Sequence, residues 1–225
     1  MREAGKEESM TQPVLAILGG QGPLATLRFQ QLLINHALNE GAVSDESFLS
    51  TITLALPSGL DSHGMWSEEQ GQEQTFLRAN LAVVNASPAT HLVMPCNTMH
   101  LHEEWLRKEL APHITFISLR EVLLNAEMPQ GVEIWTSERS RAADLYAPLI
   151  ASGARYAKDQ DLVNRAIIAG MAGREVHTDD LPVLPDVVLL ACTDLSVHKP
   201  AFEAAGVQVL DSLVLLADEI WRRLG

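Results

Sequence analysis

Short apolar runs, each closed by a turn residue and followed by a helical stretch, constrain this chain more than any other feature. The first is Pro13-Val-Leu-Ala-Ile-Leu18, which stops at Gly19-Gly20-Gln21-Gly22 before Pro23 opens a helical pattern to about Asn39. So short an apolar run between turn residues reads as a buried strand. Proline suits the first helical turn, where its missing N–H costs no hydrogen bond. The pattern repeats with strands expected at Phe48–Leu56, His91–Met94, Ile114–Ser118, Gly131–Trp135, Val187–Leu190 and Val207–Leu210. Helices are expected over Glu68–Asn85, from Cys96 to Leu110, on to about Asn125, over Arg139–Ala151 and over Leu162–Ala172. A last helix, capped by Asp211 or Ser212, aligns Leu213, Leu216, Ile220 and Leu224 on one face and places Arg222 and Arg223 at its end. Strands alternating with helices imply an α/β protein with mostly parallel sheets.

The chain of 225 residues can form one large domain or two small ones. Its 47% hydrophobic and 20% charged residues describe an ordinary globular protein. No apolar run is long enough for a membrane span, and residues 1–12 form a polar tail unlike an export signal. The net charge of −13 argues against nucleic acid as a partner, since phosphate binding needs a basic stripe. Two cysteines without an export signal point to a reducing cytoplasm.

Those two cysteines head matching segments. Leu92-Val-Met-Pro-Cys96-Asn97-Thr98 echoes Val188-Leu-Leu-Ala-Cys192-Thr193-Asp194, each an apolar strand ending in cysteine and two polar residues. Each half also begins with a strand and a helix, at Val14 and Val132. A single cysteine is ordinarily a small buried hydrophobe. Here both stand where a strand ends, the edge at which α/β sheets gather ligands, and a following helix N-terminus would stabilise a thiolate or bind a carboxylate. An unperturbed thiol is only roughly 3% ionised at neutral pH, so such help matters. Two thiols across a cleft suit reversible proton transfer, one removing a proton from carbon while the other delivers one to the opposite face. A structural zinc site is disfavoured, because Cys96 and Cys192 lack paired spacing and His100 and His102, two apart on a helix, diverge. A disulfide does not fit the inferred compartment.

The loop Gly20-Gln-Gly22-Pro-Leu-Ala25 formally matches a dinucleotide pattern, but Phe48–Leu56 runs into Pro57 without the acidic residue that would hold a ribose. It reads better as a tight turn whose N–H groups hold a carboxylate, or as a turn alone.

Three segments together resemble the aspartate/glutamate racemase family, and aspartate racemases most of all. Gly19-Gly-Gln-Gly-Pro-Leu-Ala-Thr26 is similar to their opening loop, which usually has Met at the place of Gln21. Pro95-Cys-Asn-Thr-Met-His100 and Cys192-Thr193-Asp194 resemble the two cysteine motifs, the second more often ending in Glu. Val163-Asn-Arg-Ala-Ile167 and Val209-Leu-Asp-Ser212 are weaker matches. The resemblance implies two pseudo-symmetric α/β domains facing across a cleft, commonly as a homodimer, with neither pyridoxal phosphate nor metal. It divides the chain into 13–98 plus 207–225 and 99–206, after a flexible tail at 1–12. It implies Cys96 and Cys192 as acid and base, with Gly20, Gln21, Gly22, Asn97, Thr98 and Thr193 holding an amino acid or related carboxylate. Asp194 would bind the ammonium, orient Cys192 or cap a helix. His100 would tune Cys96, or serve only as a core or surface histidine.

The chain departs from the family pattern where a substrate's side chain would be held. Leu60-Asp61-Ser62-His63 lacks the usual arginine, and a lysine expected near Leu162 is replaced. Glu138-Arg139-Ser140 replaces a glycine-threonine turn, and the connection from Gly173 to Val187 is short. Arg139, Arg141 and Lys158 are candidate substitutes for the missing cations. The leading expectation is an amino-acid racemase; the alternatives are a related hydantoin racemase or maleate isomerase type of enzyme, and a catalytically silent ligand-binding protein on the same scaffold.

Overall fold

A computed structural model describes residues 12–56, 70–175 and 184–225 of the chain. The N-terminal tail, the Leu60–His63 stretch, the expected start of a helix at Glu68 and most of the Gly173–Val187 connection lie outside the described residues. Among those residues the strands form two four-stranded sheets of the same order. In the first, β1 (Val14–Leu18) lies between β2 (Ser50–Leu54) and β3 (His91–Val93), and β4 (Thr115–Ile117) follows β3. In the second, β5 (Glu133–Trp135) lies between β6 (Arg155–Tyr156) and β7 (Val187–Leu190), and β8 (Gln208–Asp211) follows β7. Every pairing is parallel. Parallel strands in one sheet require crossovers, which α1 (Pro23–Asn39), α2 (Gln70–Asn85) and α3 (Glu103–Glu109) supply in the first sheet and α5 (Glu138–Ala142), α6 (Ala147–Ala151), α7 (Gln160–Met171) and α8 (Lys199–Ala204) in the second, while α4 (Leu119–Asn125) links β4 to β5 between the sheets. The α/β architecture with two related sheets is as the sequence implies.

Alternation along the strands decides which core each side chain joins. Leu15 and Ile17 face a central core shared by both sheets, with Ile134, Leu189 and Ala191 from the second. Ala16 and Leu18 face the outer core under α2, while Val188 and Leu190 face the outer core under α7. The final helix, α9 (Ser212–Leu224), buries Leu213, Leu216, Ala217 and Ile220 in the central core beside Phe29 and Leu33 of α1. Each such leucine or phenylalanine contributes roughly 1.5–3 kcal/mol through burial.

Sheet membership does not follow the division expected from the sequence. Residues 99–206 include β4, which completes the first sheet, and 207–225 begin with β8, which completes the second. Only α9 returns from there to α1 and α4.

Three local features also differ from expectation. The strand β6 is short and polar, carrying no apolar run to reveal it. The expected Arg139–Ala151 helix is two helices, separated where Asp144 adopts φ 50° and Pro148 enters the first turn of α6. Both cysteines lead into 3-10 turns, Thr98–His102 and Thr193–His198, rather than directly into α-helix.

Candidate active site

Cys96 follows β3 and Cys192 follows β7, the third strand in each sheet's order. Cys96 is half-buried and Cys192 is buried, and neither forms a disulfide. The chain turns sharply before each: the N–H of Cys96 donates to the Met94 carbonyl at 2.8 Å, and that of Ala191 donates to Leu189 at 3.0 Å and Trp135 at 2.8 Å. The two cysteines therefore occupy equivalent places at the C-terminal edges of two equivalent sheets.

The residues after Cys96 form a scaffold. His100 places Nδ1 2.8 Å from the Cys96 carbonyl, while Nε2 accepts the Leu119 N–H at 3.0 Å. A backbone N–H must donate, so Nε2 carries no proton and Nδ1–H donates to Cys96. Burial, the largest influence, pushes the His100 pKa down to about 4, so the ring is neutral. This also explains the 3-10 turn. The Cys96 carbonyl, the α-helical acceptor for His100 N–H, is occupied by the ring of His100, and that N–H bonds to Asn97 at 3.1 Å instead. His100 thus holds the Cys96 carbonyl and the Leu119 N–H, with both ring nitrogens engaged. His198, at the end of the turn after Cys192, instead meets the Ala166 carbonyl of α7 at 2.8 Å.

Asn97 and Thr98, expected to hold substrate, join the two halves. Asn97 Nδ2 donates to Ser212 Oγ at 3.2 Å, and its Oδ1 accepts the Tyr146 hydroxyl at 2.5 Å. Thr98 Oγ1 lies 2.9 Å from Ser137 and 3.1 Å from Ser140, whose hydroxyls are themselves 2.9 Å apart. Ser137 also caps α5 by accepting the Ser140 N–H. Tyr146 and Ser137 were not singled out from the sequence, and Ser140 and Ser212 were named there only in a departing turn and as a helix cap; the hydroxyl-rich Ser137–Ser140 stretch is the one local signal.

The glycine loop crosses from β1 to α1 through left-handed backbone at Gly20 and Gly22, both at φ 87°. A Cβ on Gly20 would lie 2.1 Å from the Leu56 carbonyl oxygen, so glycine is required there. The Gly20 N–H donates to Thr26 Oγ1 at 3.2 Å and is spent within the loop. Gly22 lies against the other half: a Cβ there would meet Asp194 Oδ1 at 2.7 Å. Asp194 Oδ1 and Gln21 Nε2 are both buried without a hydrogen-bond partner among the described residues. Thr193 is buried beside Cys192. Asn97, Thr98, Gly22 and Asp194 thus meet partners across the seam between the halves.

The seam is electrostatically demanding. Burial pushes the Cys192 thiol well above its ordinary pKa, and a charge on Asp194 or Cys96 pushes it further. The backbone N–H groups of Asp194 and Leu195 act in the opposite sense. Burial also raises Asp194 to about 6, with Arg28 pulling it down. Tyr146 is raised well above its ordinary range by burial and then by charge on the Cys192 and Cys96 sulfurs. Arg28 and Arg120 act on this region, on Asp194 and on Tyr146 respectively, and neither was foreseen. Arg120 Nε donates to the Leu145 carbonyl at 3.1 Å.

Arg141 donates to the Ala157 carbonyl at 2.9 Å and stacks over Tyr156. Lys158 lines a 480 Å³ groove with Glu133, Arg155 and Asp186. Arg139 lies on α5, next to Ser140. Another opening, of 350 Å³, lies at Glu40 and Trp221 near the chain's end; the paired strand ends identify the candidate site more securely than cavity size. Among the described residues no group of histidine, cysteine and carboxylate side chains is placed to hold a metal ion, and no helix is long and apolar enough to cross a membrane.

No protein-family model matches the chain, and no curated protein sequence does. Solved structures do. Picrophilus torridus aspartate racemase superposes with a TM-score of 0.70 at 19% identity, over 95% of this chain and 94% of that one. An aspartate racemase homologue from Pyrococcus horikoshii gives 0.70 at 16% identity, over 95% and 99%. Escherichia coli glutamate racemase gives 0.62 at 17% identity, over 95% and 82%. The fold of this chain is that of the aspartate and glutamate racemases.

Proposed function

We propose that this chain is a cofactor-independent amino-acid racemase or epimerase, with Cys96 and Cys192 as opposed acid and base at an α-carbon. The observation that carries this reading is the equivalence of the two thiols: each follows the third strand in its sheet's order. One thiolate takes the α-proton, leaving the electron pair on the α-carbon conjugated with the carboxylate. The other thiol gives its proton to the opposite face. Inversion follows without net oxidation or reduction.

The surrounding groups support such a cycle. The first-turn N–H groups of α1, at the glycine loop, favour an α-carboxylate. Asp194 accepts the α-ammonium, and the ammonium's charge offsets the carboxylate that otherwise opposes a Cys192 thiolate. The Asp194 and Leu195 N–H groups then stabilise that thiolate. Asn97 and His100 hold the Cys96 turn in place. The homodimer that the family resemblance implies belongs to the same proposal and is checked by sedimentation.

The test is α-proton exchange in D₂O across a panel of L- and D-amino acids with no cofactor added. Exchange accompanied by inversion is expected for at least one pair. Cys96→Ser and Cys192→Ser should each slow inversion by about 10²–10⁴-fold, the usual weight of a general acid or base. Absence of exchange throughout the panel, or an unchanged rate in either variant, contradicts the proposal.

A further inference from the structure

We propose that the outward face of α1 packs against the same face of a second copy of this chain, with the two helices antiparallel, and that this contact forms the homodimer. Dimerisation itself belongs to the reading above; the surface does not, and it needs none of the cysteine chemistry.

The helix α1 is apolar on two sides. Its inner face buries Ala25, Phe29, Leu33 and Ala37. On its outer face Leu24, Leu27, Ile34 and Leu38 are 37–62% exposed, and none of them joins a core among the described residues. With Gln31 in the middle, these positions follow alternating steps of three and four. That is the spacing by which one helix packs along another. Single exposed apolar residues are ordinary on a protein surface, but a continuous stripe of them marks an interaction site.

The stripe complements itself when reversed. A two-fold axis at Gln31 sets Leu24 against Leu38 of the second copy and Leu27 against its Ile34. The two Gln31 amides meet at the axis, where each can donate and accept. A hollow of 70 Å³ beside Ile34, walled by Gln30, Phe48 and Leu49, faces the second copy's Leu27 in this arrangement. Leu27 is the most exposed residue of the stripe, and apolar anchors of this kind bind best in such pockets.

The two ends of the stripe favour the antiparallel direction. A Cβ on Gly173 would lie 3.3 Å from Leu24 Cδ1, so the C-terminal end of α7, with exposed Ile168 and Met171, stands at the N-terminal end of α1. Exposed Val43 follows the other end of α1. The α7 end is basic, with exposed Arg165 and Arg174 outweighing Glu175, whereas exposed Glu40, Asp45 and Glu46 make the other end acidic. Antiparallel pairing joins basic to acidic twice; parallel pairing sets each end against its like.

The experiment is sedimentation of the intact protein and of Leu27→Glu/Ile34→Glu, followed by disulfide cross-linking. The intact protein should sediment as a dimer. The glutamate variant, changed only at exposed positions, should keep its circular dichroism and dissociate about 100-fold or more readily, because it places like charges in an apolar contact. Leu24→Cys/Leu38→Cys should give a covalent dimer on mild oxidation, and neither substitution alone should do so. The two positions are about 21 Å apart along one helix, too far to bond within a chain. The wild type, carrying only Cys96 and Cys192, is the control. A monomeric intact protein, a dimer unmoved by the glutamates, no cross-link in the double cysteine variant, or cross-linking of either single variant overturns the inference. The cross-linking decides even if the glutamate variant fails to fold. A dimer unmoved by the glutamates would leave the homodimer standing on another face, and α-proton exchange decides the racemase reading independently of either result.

Discussion

Asp194 and His100 pull the pH dependence of stability in opposite directions. Asp194 has a folded-state pKa of about 6 against an ordinary 3.8, so the folded form holds its proton more tightly. Its stabilising contribution is full below the unfolded value and is lost as pH rises through about 6. His100 is depressed from 6.5 to about 4, so its contribution is present above 6.5 and lost as pH falls toward 4. The difference between wild type and Asp194→Asn isolates the first effect. We expect the variant to gain about 1–3 kcal/mol relative to wild type between pH 4 and pH 8, measured by urea unfolding at each pH. A pH-independent difference would show that the carboxyl is not held up by the fold. Replacing His100 by Phe should cost about 2–4 kcal/mol in the same assay, because the Cys96 carbonyl and the Leu119 N–H both lose a partner. At this scale the sequence was informative about which residues gather and less so about their work. Asn97, Thr98 and His100 stand in a motif, but their partners Tyr146, Ser137, Ser212 and Leu119 come from distant segments, and no local pattern announces such pairings.

At the scale of elements, α7 shows what sequence periodicity can and cannot deliver. Its buried Leu162, Val163, Ala166, Ile167 and Gly170 follow helical spacing, and Asp159 caps it by accepting the Leu162 N–H at 2.9 Å. The helix was legible for those reasons. The reason for Gly170 was not: a Cβ there would lie 2.1 Å from the Asp194 carbonyl oxygen, so α7 approaches the Cys192 turn through a glycine. Gly170→Ala should therefore destabilise the protein by about 1–3 kcal/mol despite alanine's better helix propensity, and should slow turnover by displacing that turn. A melting temperature at or above wild type would contradict the close approach. The strand β6 escaped notice because Arg155 and Tyr156 carry no apolar alternation. The break between α5 and α6 had a visible signal in Pro148, overridden by the helical composition around it. The 3-10 turns after the cysteines come from side-chain competition for the Cys96 carbonyl in one case, which only the fold reveals.

At the scale of the whole molecule, two sheets of one topology share a central core and are fastened at the seam that holds the thiols. The repeat was legible because both cysteine segments carry the same strand-to-turn pattern. The crossing of β4, β8 and α9 was not, since strand partners depend on contacts far apart in sequence. Tyr146 to Asn97 to Ser212 is one fastening, and Thr98 with Ser137 and Ser140 is another. Tyr146→Phe leaves Asn97 Oδ1 without its donor and should lower stability by about 1–3 kcal/mol in thermal unfolding; an unchanged midpoint would argue that this fastening carries no load. The two-thiol claim is tested most directly by following deuterium during the first few per cent of turnover of a single enantiomer in D₂O. Two opposed thiols predict deuterium at the α-carbon of the inverted product while the remaining substrate stays protiated. Equal early labelling of recovered substrate and product would instead indicate a single base serving both faces, and would contradict the pairing of Cys96 with Cys192.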